Sequence, residues 1–330
     1  MGITPFPHGI FATPTIGVDR SSIFQEGNIF FVNGDLSGAS SSNSGLNPDE
    51  AVSIPSEAVS NASRGAIIYV NARSTTASAQ VYYSDNITIP LTKPNLSILG
   101  CGNDIDRPYC GPAVKATTAG VGSAVLKIYG ASFLTEGMEW TGTGQTADTA
   151  SIIDTVNDGT VGRAYAFTIR NCRLRNAKGH LIGGGGAIHI DTAINIKIQN
   201  CAFQDNPNSI AVQSTYAGIN NLYIENCTFS GTTTVRDSDI FSTADAGSGF
   251  FIDNCKFLAG LPNHGVNNKY LVISSGPLGL ISNCRFAYAA TTMDALLAAA
   301  GTIGNVPTTM AQVGNMVQAD TEGESGIVTI

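Results

Sequence analysis

The chain has 330 residues, a formal net charge of −8 and 13% charged residues, against roughly a quarter in an ordinary soluble domain. Apolar residues reach 43%, enough for a sizeable core, and the 37 glycines exceed the usual share of about 7%. A pI near 4.9 argues against nucleic-acid binding, which needs a basic stripe, and a mean hydropathy of +0.10 with no long apolar run predicts no transmembrane helix.

In chain order, residues 1–26 read as an N-terminal arm. The first eighteen carry no charged side chain, and Phe6, Ile10 and Phe11 sit among Pro5, Pro7 and Pro14. Without a basic stretch ahead of an apolar one, the segment makes a poor secretory signal. An uncharged apolar arm suits docking on a partner, so Phe6, Ile10 and Phe11 are candidate partner-binding residues. Residues 27–63 read as an opening strand and a capping helix. Ile54, Ala58, Val59 and Ala62 share one helical face, and Pro55 suits the first turn.

Residues 64–290 hold the pattern that decides the architecture. The motif Ile-x-Asn-Cys-x-Phe/Leu recurs five times, at Asn171–Cys172, Asn200–Cys201, Asn226–Cys227, Asn254–Cys255 and Asn283–Cys284, spaced 26 to 29 residues apart. An alternating run such as Ile194, Ile196, Ile198 precedes the motif, as a strand with one buried face does. Asn tolerates the left-handed backbone of a sharp bend, after which Cys and Phe can both turn inward. A further apolar strand lies ahead of each later motif, as at 187–190, 210–212 and 270–273. Such short units cannot bury a face alone and must stack on their neighbours. The pattern therefore predicts an all-β chain, a right-handed parallel β-helix of about eight coils and roughly 40 Å, with Ile, Asn, Cys and Phe in stacked ladders. Less regular strands at 65–70, 86–89, 95–99, 124–128 and 137–140 supply the earlier coils.

Residues 291–330 read as a C-terminal capping helix over 292–300, closed by Gly301, and a tail ending in Ile327 and Ile330. Those two isoleucines join the partner-binding set. Short capping helices at both ends and extended terminal arms complete the expected fold.

Phe30 to Asp35, then Ser42 to Gly45 and Asn47-Pro48-Asp49, resemble the N-terminal motif of pectate-lyase-like β-helix proteins. In that family an opening strand leads through a D-x-x-x-N-x-G loop and a capping helix to a strand like 65–70. Leu96 to Gly100, with Arg107 and Pro108 downstream, continue the likeness over about residues 27–290. The resemblance implies a component of a tailed bacteriophage particle, made in the host cytoplasm and carried in the virion. Its partners would be other virion proteins, chiefly the capsid shell, and a homo-oligomer, with a trimer as the family pattern. The expected role is a capsid decoration protein held by its arms, with no cofactor, no nucleic acid and no membrane.

The chemistry in the sequence is sparse. Seven cysteines are counted, five on one ladder position, where parallel thiols suit a reduced core better than disulfides. Cys101 and Cys110 enclose a loop and are the one pair that could bridge. The four histidines are scattered and no Cys-x-x-Cys occurs, so no metal site is expected. Neither a Gly-Asp-Asp signature nor a calcium-lyase cluster is found. The alternative to a structural role is a tailspike-like protein that binds or degrades a surface glycan, with Asp191, Asp237, Asp239 and Asp245 as candidate catalytic acids on neighbouring coils. The single tryptophan, at 140, lies far from them, so no aromatic platform is expected beside these acids.

Overall fold

In the computed structural model the described residues are 28–74, 80–101, 111–117, 124–130, 132–155, 164–179, 185–191, 193–213, 220–231, 238–242, 248–258, 269–273, 278–288, 304–305, 310–319 and 325–327. They form a right-handed parallel β-helix with three sheets. One coil shows the path. Ala193–Gln199 runs in the first sheet, Asn200 makes the bend, Ala202–Gln204 runs in the second, Asn208–Val212 in the third, and Asn220–Glu225 re-enters the first directly above. The longest sheet path has ten rungs, from Ile29–Val32 to Met310–Val313, or about 43 Å at the strand spacing.

The motif residues align as the repeat requires. Ile169, Ile198, Ile224, Ile252 and Ile281 are register partners in the first sheet, all with 0% exposure. Leu174, Phe203, Phe229, Phe257 and Phe286 are register partners in the second, and successive phenylalanine rings stack with centroids 4.7 to 4.8 Å apart. All five motif asparagines have φ between 50° and 55°, so the chain turns through the left-handed region at every coil. Gly137 (φ 69°) and Gly314 (φ 68°) take the same bend on the coils before and after them. The five ladder cysteines are free thiols, and each donates from Sγ to carbonyls of its own coil and of its neighbour, as Cys201 does to Ile169 O at 3.6 Å. Cys101 is likewise a free thiol, and Cys110 lies outside the described residues.

A second left-handed column lies near the start of six first-sheet strands. Asn95, Ser132, Ala166, Asn195 and Asn221 have φ between 52° and 60°, and Gly249 follows at 81°. The residue after each one, Leu96, Phe133, Phe167, Ile196, Leu222 and Phe250, is buried to 1% or less. This bend drives an apolar side chain into the core just as the Asn-Cys bend does.

The N-terminal end matches expectation closely. Ile29–Val32 pairs in parallel with Ile67–Asn71, and the helix Pro55–Asn61 buries Pro55, Ala58 and Val59. Glu57 Oε2 accepts from the amides of Ser53 and Ile54, and Asp85 Oδ2 accepts from the Ser56 amide at 2.7 Å. These carboxylates occupy the donors that the first helical turn leaves open.

The C-terminal end differs from the sequence reading. Stacking does not stop near residue 290: Met310–Val313 and Met316–Ala319 add another coil in parallel, and Gly304–Asn305 extends the third sheet. Its residues break the motif, which is why the repeat pattern missed it. Gln312 replaces the ladder isoleucine and Asn315 the cysteine. Asn315 Oδ1 accepts from the Cys284 amide at 3.0 Å, and its Nδ2 donates to Ile281 O at 3.1 Å. The helix expected over 292–300 lies outside the described residues.

Candidate functional site

The outward side chains of a β-helix form columns as regular as its ladders. On the first sheet one column runs Glu136, Arg170, Gln199, Glu225, Asp253 and Ser282, each in register with the next. Five of these occupy the variable position of Ile-x-Asn-Cys, immediately before the bend. Beside this column runs a second: Thr168, Lys197, Tyr223, Phe251 and Leu280.

At the N-terminal end of the first column the charges cancel. Arg170 Nη2 donates to Glu136 Oε2 at 2.7 Å, and Asn171 Nδ2 donates to the other oxygen at 2.8 Å. Farther along they do not. Glu225 and Asp253 are two carboxylates one rung apart, about 4.8 Å along the axis. Each is held by one oxygen: Gln199 Nε2 donates to Glu225 Oε2 at 2.7 Å, while Ser282 Oγ and Asn283 Nδ2 donate to Asp253 Oδ1 at 2.6 and 3.0 Å. Among the described residues no cation pairs with either. The half-buried rings of Tyr223 and Phe251 stand alongside, with centroids 4.9 Å apart and planes 11° from parallel. Stacked along the axis, they present edges outward and form an apolar wall beside the acids.

This arrangement can hold a polysaccharide and attack it. Carboxylates on adjacent rungs, whose backbones lie about 4.8 Å apart, are near enough for one acid to protonate a leaving oxygen while the other attacks the same centre. Amide and hydroxyl groups around them can bond sugar hydroxyls, and the ring wall excludes water from one side.

The acids expected from the sequence fall elsewhere. Asp191 is half-buried just past the third-sheet strand Gly186–Ile190, and its amide donates to Thr155 Oγ1 at 3.2 Å. Asp239 lies in the third-sheet strand Ser238–Ser242 with 0% exposure and accepts a bond from Ser209 Oγ at 3.4 Å. A substrate in solvent cannot reach it, because the first half of that strand is buried on both faces. Asp237 and Asp245 lie outside the described residues, as do Phe6, Ile10, Phe11 and Ile330. Ile327 ends the strand Ser325–Ile327, which pairs antiparallel with Met316–Ala319. The third sheet also carries His189, whose Nδ1 lies 2.8 Å from Asp154 Oδ1. Among the described residues no group of three or more His, Cys, Asp or Glu is placed to hold a metal, and no helix is long and apolar enough to cross a membrane.

Residues 156–303 match the family model for a right-handed β-helix region, somewhat under half of the chain. No curated protein matches. Among solved structures, a pectin methylesterase from Aspergillus niger is 12% identical, with 89% of this chain and 87% of that one covered, at a TM-score of 0.53. A Geobacillus virus E2 protein, ORF18, is 16% identical over 78% of this chain and 54% of its own, at 0.40. A tailspike protein of Acinetobacter baumannii bacteriophage Fri1, a capsular polysaccharide depolymerase, is 10% identical over 76% and 54%, at 0.31. The likeness to the methylesterase is one of fold.

Proposed function

We propose that this chain binds a polysaccharide across the outer face of the first sheet and hydrolyses a glycosidic bond there. The observation that carries the reading is the Glu225–Asp253 pair, two carboxylates on adjacent rungs fixed by Gln199, Ser282 and Asn283. One carboxyl group protonates the glycosidic oxygen while the other attacks the anomeric carbon. Water then releases the glycosyl intermediate, with the first group now acting as base. Tyr223 and Phe251 flank the bond and limit water access.

The reading takes up the alternative raised by the sequence and assigns the catalytic acids to the first sheet instead of to Asp191 and Asp239. A head-attached structural role would rest on five arm residues of which only Ile327 is described, and no comparison supports it. Placement in a phage particle, synthesis in a host cytoplasm and assembly as a homotrimer stay within the proposal, motivated by the N-terminal resemblance alone.

The test is release of reducing ends from a panel of bacterial capsular and lipopolysaccharide-derived glycans. Wild type cleaves at least one, while Glu225→Gln and Asp253→Asn bind it and release no new ends. Cleavage by both variants at the wild-type rate would sink the assignment.

A further inference from the structure

The second sheet carries cations on the coil of Asp253 and on the coil after it. Its outward column runs Glu139, Arg173, Ala202, Thr228, Lys256 and Arg285. In the early coils each strand arginine has a carboxylate within reach. Glu139, only 4% exposed, sits 2.7 Å from Arg175 Nη2 and 3.9 Å from Arg173 Nη1. Arg170 is matched by Glu136 in the same way. Arg285 is the exception: among the described residues it is the strand arginine without a carboxylate, and Lys256 beside it has none either.

Lys256 and Arg285 are register neighbours, both exposed, about 4.8 Å apart along the axis. Like charges directly opposite on a sheet destabilise it, and here no described acid offsets them. Their placement is also specific. Each follows the Asn-Cys bend by two residues, so Lys256 lies just across Asn254 from Asp253, and Arg285 just across Asn283 from Ser282. The exposed asparagine ridge, where Asn254 Nδ2 donates to Asn226 Oδ1 at 2.7 Å, separates the cation pair from the carboxylate pair. A ligand lying over the ridge would meet amides on its crest, carboxylates on one flank and cations on the other.

We infer that Lys256 and Arg285 form an anion subsite on the second sheet, which takes a charged substituent, carboxylate, sulfate or phosphate, of a polymeric glycan. The planar guanidinium can hold two anion oxygens at once, and the lysine adds a point charge one rung away. The identity of the carrier as a glycan rests on the function proposed above; the anion preference does not. It is a property of the second sheet, and it survives if Glu225 and Asp253 prove not to be catalytic.

The experiment is affinity electrophoresis of the full chain in gels containing sodium polygalacturonate, dextran sulfate or neutral dextran, each at low and high salt. Wild type is retarded by one or both anionic polymers and not by dextran, and salt abolishes the retardation. Which polymer retards it tells carboxylate from sulfate. Lys256→Gln with Arg285→Gln weakens retardation about tenfold. Glu225→Gln with Asp253→Asn, which removes two negative charges across the ridge, keeps or strengthens the retardation, and that separates this site from the hydrolytic one. Equal retardation of wild type and the cation double variant, or equal retardation by dextran, overturns the subsite. Both substitutions are at exposed positions, and a thermal melt matching wild type confirms that the variant is folded.

Discussion

The rings of Phe229 and Phe257 lie 4.7 Å apart and 3° from parallel, one coil above the other. Each interior phenylalanine thus has a ring on both faces, and removing one leaves a gap that rigid neighbouring coils cannot close. Phe229→Ala is expected to cost about 3–5 kcal/mol, whereas Phe229→Leu, which refills most of the volume, costs about 1.5 kcal/mol or less. Urea midpoints of the two variants against wild type check the order. Similar midpoints would mean that the coils do relax around the hole.

Asn226 holds φ at 55° and accepts from Asn254 Nδ2. Asn226→Ala keeps the strained backbone without a side chain suited to it and is expected to lose about 1–2 kcal/mol. Asn226→Gly removes the strain and loses only the ladder bond, so its melting temperature falls between alanine and wild type. An alanine variant as stable as the glycine one would show that the bend carries little strain.

Tyr83 has 1% exposure; its hydroxyl donates to Asn71 O at 2.7 Å and accepts from the Gly34 amide at 3.2 Å. Burial pushes its pKa up to about 12. The folded value is above the unfolded one, so the phenol's contribution is complete below about pH 10 and is lost as pH rises to about 12, roughly 3 kcal/mol in all. Melts from pH 8 to 12 should show a steeper alkaline decline in wild type than in Tyr83→Phe. Parallel declines would place the alkaline sensitivity elsewhere.

The ladder thiols are buried, and burial pushes Cys172 and Cys227 above the ordinary thiol range. All five ladder sulfurs are closed off from solvent, at 0 to 2% exposure, so the native chain should resist an aromatic disulfide reagent at pH 8 at every ladder position. In denaturant the same five thiols react. Fast native labelling at any of them, read by peptide mapping, would contradict the closed packing of the ladder.

Most of the fold was legible because stacking repeats the same physical demand at every coil. Ile, Asn, Cys and Phe each answer one requirement, and five repetitions leave no other register. Legibility failed where the demand stayed but the residue changed. The left-handed column from Asn95 through Ala166 to Asn221 uses three residue types, so it shows no motif. Gln312 and Asn315 continue the stack with polar side chains and hid the last coil.

The candidate site was hidden in the repeat itself. The residue before each Asn-Cys varies and so carries no motif signal, yet alternation turns it outward, where Glu225 and Asp253 are neighbours. Asp239 illustrates the converse: strand alternation points it out, but neighbouring segments bury it, and no local pattern reports such cover.

The strand Ser325–Ile327 runs antiparallel to Met316–Ala319, the one reversal of direction among the paired strands described. A parallel stack can always accept another identical layer, and two rods could in principle grow end to end like crystals on a seed. A reversed final strand presents the wrong hydrogen-bond phase to an incoming coil, and Gln312 and Asn315 put amides where a dry ladder would need isoleucine and cysteine. Together they make this edge of the described stack a poor template for another parallel layer, which disfavours end-to-end growth into a fibre.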